Sequence, residues 1–256
     1  MSATADRSHL PHDLDAGLGG RARIGLIVLA TDQTLEHEWR RIFADVAGVA
    51  LYQSRIWNEA QITPATLSRM EGDLARSAAV ILPGLPLAVV AFGCTSAAMV
   101  IGEENVFARL HEARPEARST TPITAAFAAF RTLGARRIAV LTPYRQDVNA
   151  AMRRYIEARG FEVPVLGSFD EEDDLRAARI DQASIQAATL ELGRDPRVDA
   201  VFVSCTSLRL AEAAATIETR LGKPVTSSNH AMAWHALRLA GVTDPLPRWG
   251  RLFELR

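Results

Sequence analysis

Short apolar runs alternate along this chain with longer stretches in which apolar residues recur every three or four positions. From Arg23 the run Ile24-Gly25-Leu26-Ile27-Val28-Leu29 predicts a strand, since a strand covered on both faces reads as continuous apolar sequence. The polar loop Ala30 to Thr34 ends it, and Leu35, Trp39, Ile42, Phe43 and Val46 fall at helical spacing over 35–46. A second strand fits Val49 to Ile56, and the Thr63-Pro64 start signal predicts a helix running toward Ser77. Residues Ala78 to Leu82, followed by Pro83, Gly84 and Pro86, read as a short strand or turn. The apolar run from Leu87 to Phe92 then stops at Gly93, before Cys94-Thr95-Ser96 and a predicted helix, with another helix over Val106 to Ala113.

Thr120-Thr121-Pro122 marks the crossing into a second half with the same rhythm. A helix over Ile123 to Leu133 ends at Gly134, strand Arg137 to Leu141 leads into Thr142-Pro143-Tyr144, and helix Val148 to Arg159 stops at Gly160. Strand Glu162 to Leu166, an acidic run Asp170 to Asp174 read as a solvated loop, helix Ser184 to Leu192 and strand Ala200 to Val203 follow. Then comes Cys205-Thr206-Ser207, a helix over Leu210 to Leu221, a strand through Pro224 to Ser227 and a helix over Met232 to Leu239. Alternating strands and helices predict an α/β fold of two pseudo-symmetric halves, each a parallel sheet flanked by helices, with the active site in the cleft between them. The expected division is a mobile tail over 1–21, a first domain over 22–122 plus 229–256, and a second over 123–228. The aromatic residues of the last stretch, Trp249 and Phe253, require a surface, for which a partner subunit of a homo-oligomer is a candidate.

Composition narrows the functions open to such a fold. A hydrophobic content of 48% with 23% charged residues is globular. A formal net charge of −1 gives no electrostatic reason to expect nucleic acid or an anionic membrane. No apolar run reaches the roughly 18 residues of a membrane span, so a cytoplasmic location is expected. His9 and His12 have a spacing seen in metal sites but no soft ligands beside them, so neither metal nor cofactor is expected. His230 and His235 read as structural, and Ser227, Ser228 and Asn229 as residues of the cleft rim.

The two cysteines carry the chemistry. They are the only cysteines in the chain, and both stand in Cys-Thr-Ser after a strand-like run. A lone buried cysteine behaves as a small hydrophobe, but the repeated tripeptide at the carboxyl end of a strand, where α/β sheets bind ligands, points to function. A thiol at a helix N-terminus has its thiolate favoured by free N–H groups, and the same groups with the Thr and Ser hydroxyls can hold a carboxylate. Two such turns face to face would let one sulfur take a proton from carbon while the other returns one, or let one thiolate add to a conjugated double bond. Cys94 is then the nucleophile or first base and Cys205 the opposing acid or base. Thr95, Ser96, Thr206 and Ser207 would hold carboxylates, with Gln33 and Tyr144 as orienting donors. A decarboxylase using Cys205 alone and a metabolite-binding protein with an inert site are the competing readings.

Phe92-Gly93-Cys94-Thr95-Ser96 and Val203-Ser204-Cys205-Thr206-Ser207, with Leu133 to Tyr144, resemble the paired motifs of the aspartate/glutamate racemase superfamily. The similarity is greater to its maleate cis–trans isomerase and arylmalonate decarboxylase branch. Ala30 to Glu38 further resembles ectoine-utilisation proteins of racemase or decarboxylase type. The resemblance implies a cofactor-independent enzyme acting on a small carboxylate or amino acid in ectoine or hydroxyectoine breakdown. It also implies departures. Maleate isomerases carry an asparagine in the first loop, where Gln33 is expected here, and another in the region of Asp174. Arylmalonate decarboxylases keep only the second-half cysteine, whereas this chain has both.

Overall fold

A computed structural model describes residues 7–15, 17–59, 61–171 and 173–256. Residues 1–6 and 16 of the expected tail, and Glu172 of the acidic run, lie outside the described residues. Strand β1 (Ala22–Leu29) is buried at seven of its eight positions, the two-sided cover that its apolar run predicts. It pairs in parallel with β2 (Val49–Ile56) on one side and β3 (Val89–Gly93) on the other. A short strand, β4 (Arg118–Thr120), completes the sheet in the order β2-β1-β3-β4. The second half repeats this with β5 (Arg137–Thr142), β6 (Glu162–Ser168), β7 (Ala200–Val203) and β8 (Val225–Ser227), in the order β6-β5-β7-β8. In each sheet the connection reverses direction between the first and third strands, which makes their carboxyl ends the topological switch point.

The intervening helices are amphipathic segments laid over these sheets. In the first half they are α1 (Leu35–Phe43), α2 (Pro64–Arg69), α3 (Leu74–Ala79), α4 (Thr95–Ile101) and α5 (Glu103–Ala113). The single helix expected from Pro64 to Ser77 is interrupted by a 3-10 turn at Met70–Asp73, and Ala78 to Leu82 is the end of α3 and a turn. Helix α6 (Pro122–Thr132) begins at Thr121, whose hydroxyl accepts from the Thr124 N–H at 3.2 Å with Pro122 at the first helical position. It is followed by α7 (Gln146–Glu157), α8 (Asp174–Ala177), α9 (Gln182–Gly193), α10 (Ala214–Leu221) and α11 (Ser228–Leu239).

Most of the strand sequence was legible, but β4 was not expected. Arg118-Ser119-Thr120 has no apolar run and is a strand only because the edge of β3 offers it hydrogen bonds. The last stretch also differs from expectation. Trp249 and Phe253, in a 3-10 turn and α12 (Arg251–Glu254), are fully buried in the chain's own core with Trp39, Met232 and Leu237. They therefore need no partner subunit to cover them. A second, larger core runs continuously through both halves, from Phe92 and Ile123 to Phe130, Phe202 and Val225. Among the described residues no helix is long and apolar enough to cross a membrane.

Candidate active site

Gly93 closes β3, and a Cβ there would stand 2.3 Å from Leu35 Cδ2 and 2.9 Å from the Ile27 carbonyl oxygen. The close packing of α1 on the sheet therefore requires glycine before the first cysteine. Cys94 follows as the N-cap of α4, its Sγ accepting from the Ala97 N–H at 3.4 Å and lying 3.7 Å from Ser96 Oγ. The Thr95 hydroxyl points back and bonds Ser228 Oγ at 2.8 Å.

The second tripeptide follows β7 but opens no helix. Cys205 Sγ accepts from the Ser207 N–H at 3.4 Å inside a turn, and the next helical residues are a 3-10 turn at Ala211–Ala213. The expected strand-to-helix geometry thus holds for Cys94 and not for Cys205. What holds the second turn is a set of contacts from the first half. Glu38 on α1 accepts from the Leu210 and Ala211 N–H groups, both at 2.8 Å, and from Asn229 Nδ2 at 2.7 Å. Asn229 Nδ2 also donates to the Thr206 carbonyl at 2.8 Å, and Thr34 Oγ1 to the Ser207 carbonyl at 3.0 Å.

Cys94 and Cys205, each 4% exposed, line one cavity together with Thr95, Ser96, Tyr144, Thr206, Asn58 and Asp174. Leu29, Ile62, Leu67 and Met70 supply its apolar wall. The cavity is closed to about 20 Å³, room for about one water molecule. A backbone bridge between Gln61 and Asp173 joins the β2–α2 connection to the equivalent connection of the other half beside it. A four-carbon acid can be admitted only if this wall moves.

The residues of the first and third strand ends converge as the switch-point rule predicts, but not all the expected side chains enter. Gln33 is exposed and outside the cavity, a correction to its expected role as a donor; its neighbours Asp32 and Thr34 are buried. Asp32 Oδ1 accepts from the Thr34 and Leu35 N–H groups at 2.7 Å. Ser207 lies behind the wall, donating to Asp174 Oδ1 at 2.7 Å. Asp174 is not in a solvated loop: it is 5% exposed and also accepts from Thr31 Oγ1. Ser227, Ser228 and Asn229 are fully buried supports beneath the turns instead of rim residues. Asn58, at the carboxyl end of β2, was missed; its position just after a strand's carboxyl end was the available signal. His230 bonds Thr226 and the Trp249 carbonyl and His235 bonds Thr120, as structural histidines do.

Burial pushes both thiols up to about 12. For Cys94 the Ala97 N–H and the Ser96 hydroxyl oppose this, and the charges of Asp174 and Asp32 add to it. For Cys205 the Asp174 charge adds to it, while the Ser207 N–H and the Tyr144 hydroxyl oppose it. Tyr144 is itself raised well above its ordinary value, chiefly by burial. Desolvation therefore outweighs the few N–H donors expected to favour thiolates, and the resting cavity holds neutral thiols. The same burial lifts Asp32 to about 6 and Glu38 to about 7.

The profile of the arylmalonate decarboxylase family matches residues 52–253. The chain belongs to that family. Maleate isomerase of Nocardia farcinica is 28% identical over 247 residues, spanning 92% of this chain and 96% of that protein. Arylmalonate decarboxylase of Bordetella bronchiseptica is 34% identical over 137 residues, 53% and 57% of the two chains. Among solved structures, a cysteine-to-serine variant of the N. farcinica maleate isomerase with a covalently bound succinylcysteine intermediate has a TM-score of 0.82 at 25% identity, covering 91% of this chain and 98% of that one. The chain is an enzyme of this group of isomerases and decarboxylases, and the α/β architecture of two parallel sheets is theirs. Both sulfurs of this chain line one cavity, and the N. farcinica variant was solved with a covalently bound succinylcysteine.

Proposed function

We propose that the enzyme is a cofactor-independent isomerase in which Cys94 and Cys205 act from two sides of one small carboxylate. The observation that carries this reading is that both thiols, far apart in sequence, line a single closed cavity. In a racemase or epimerase cycle one sulfur, as thiolate, takes the proton on the carbon beside the carboxylate, leaving an enolate. The other, as thiol, delivers a proton to the opposite face and becomes the thiolate, so charge is conserved and the reverse reaction starts from the product. The hydroxyls of Ser96 and Thr206 supply neutral donors to the carboxylate and enolate oxygens. Tyr144, beside Cys205, favours its thiolate form.

Cis–trans isomerisation is the second reading, favoured by the covalent succinylcysteine of the N. farcinica relative. There one thiolate would add to the double bond, rotation would follow, and elimination would restore the thiolate. Decarboxylation through Cys205 alone is less well supported, since it leaves Cys94 in the cavity without a task. The resemblance of Ala30 to Glu38 to ectoine-utilisation proteins supports a substrate from ectoine or hydroxyectoine breakdown, handled in the cytoplasm.

Incubation with candidate carboxylates in deuterated water tests the scheme. Inversion at the acidic carbon, followed by NMR and chiral separation, is expected to fall by about 10²–10⁴-fold in Cys94→Ser and in Cys205→Ser alike. Full inversion in either variant removes the two-thiol mechanism, and carbon dioxide release surviving Cys94→Ala turns it into a decarboxylase.

A further inference from the structure

The charges around the cavity are one-sided. Among the described residues its lining holds two carboxylates, Asp174 and Glu59, and no lysine, arginine or histidine. Glu59 has an exposed partner in Arg69, 3.8 Å away. Among the described residues Asp174 has only neutral donors, the hydroxyls of Thr31 and Ser207, one to each oxygen. That leaves unused acceptor capacity on a carboxylate that can take about four hydrogen bonds. Behind the wall, Asp32 is 3% exposed, and its Oδ2 accepts no formed hydrogen bond, although the Thr206 hydroxyl is beside it. Nearby, Arg55 donates to the backbone carbonyls of Leu29 and Asp32 and pairs with Glu36, and Arg209 donates to the Ile180 carbonyl, so neither is paired with Asp174 or Asp32.

Elsewhere in the chain half-buried carboxylates do have cations: Asp199 has Arg137 and Glu103 has Arg159. Two buried carboxylates near each other and near two thiols, neither ion-paired among the described residues, are unfavourable as charges unless a cation arrives. A dicarboxylate would add two more negative charges to this surface. An ammonium group would neutralise it, and by approaching the sulfurs it would also stabilise a thiolate.

We propose that Asp174, backed by Asp32, anchors an ammonium group of the substrate, so that the cavity selects an α-amino acid zwitterion over a dicarboxylate. This rests on the two-thiol reading for the position of the reacting carbon, and it assigns the specificity to the side of the cavity that carries Asp174. The carboxylate of the amino acid then falls to the neutral hydroxyls of Ser96 and Thr206.

Thermal-shift titration and α-proton exchange on the full chain test the assignment, with alanine, aspartate and 2,4-diaminobutyrate as probes, each beside its N-acetyl derivative, and maleate. At least one free amino acid is expected to raise Tm and exchange its α-proton, with apparent affinity about 10–100-fold above that of its N-acetyl form. Asp174→Asn is expected to raise KM for that amino acid by about the same factor with a smaller change in kcat, while stabilisation by maleate increases. A merely structural role would weaken both ligands together. The assignment is overturned if no free amino acid stabilises the protein, if maleate stabilises it more than every one of them, or if Asp174→Asn leaves the ranking unchanged. An amino-acid preference that is lost in Asp174→Asn but accompanied by full inversion in Cys94→Ser would keep the anchor and discard the two-thiol scheme.

Discussion

The two halves of this enzyme share a sheet order and a tripeptide, yet they hold their cysteines by different means. In the first half the cysteine caps a helix, and the turn is built locally from Gly93 and the close packing of Leu35. In the second half no helix begins at the cysteine, and the turn is fixed from outside by Glu38, Thr34 and Asn229. The same asymmetry appears at the strand ends. The loop after β1 contributes Asp32 where the loop after β5 contributes Tyr144, and the loops after β2 and β6 contribute Asn58 and Asp174. A repeated fold thus supplies two similar sulfurs and surrounds them with unlike neighbours.

The largest expected effect tests whether the halves are equivalent in chemistry. Cys94→Ser and Cys205→Ser should each reduce inversion by about 10²–10⁴-fold, and a loss confined to Cys205→Ser would show the halves to be chemically unequal. Next is the contact that crosses between them. Glu38 has a folded-state value of about 7, above the roughly 4.3 of a free glutamate. A group raised in this way favours the fold below its unfolded value and loses that contribution as pH rises through its folded one. Stability should therefore contain a part that declines between pH 4 and pH 7, at most about 1.4 kcal/mol per pH unit. Glu38→Gln should remove that part, measured as the difference between the urea midpoints of the two proteins across pH. His230 and His235, lowered to about 4 by burial, act in the opposite direction, gaining stability as pH rises toward their unfolded value, and they cancel in that difference.

Smaller effects separate the two turns themselves. Gly93→Ala should destabilise by about 1–3 kcal/mol, because the added methyl meets Leu35 and a carbonyl oxygen in a packed core. At the corresponding position of the second half, Ser204 is fully buried with its hydroxyl unpartnered. Ser204→Ala should consequently leave the urea midpoint within about 1 kcal/mol of wild type or raise it. Equal losses at both positions would mean that the two turns are supported alike. Last, iodoacetamide labelling read by mass spectrometry should be slow at neutral pH and rise with pH for both thiols, as expected for values near 12. A plateau near pH 7 would show that one of them rests as thiolate.

The residue pattern alone determined the alternation of strand and helix, the β2 and β7 spans to the residue, and the presence of a cysteine at the end of one strand in each half. These are legible because a strand covered on both faces, a helix cap and a turn are each dictated by adjacent residues. Tertiary structure decided the rest. Asp174 belongs to an acidic run that reads as solvent-facing, and it is buried because Thr31 and Ser207, from distant loops, close over it. Asp32 and Gln33 are neighbours of similar polarity, and only the docking of α1 on the sheet turns one inward and the other out. The neutral state of the thiols is likewise a property of the closed cavity, because the cost of desolvating a charge is set by everything around it and not by the residues beside it in the chain.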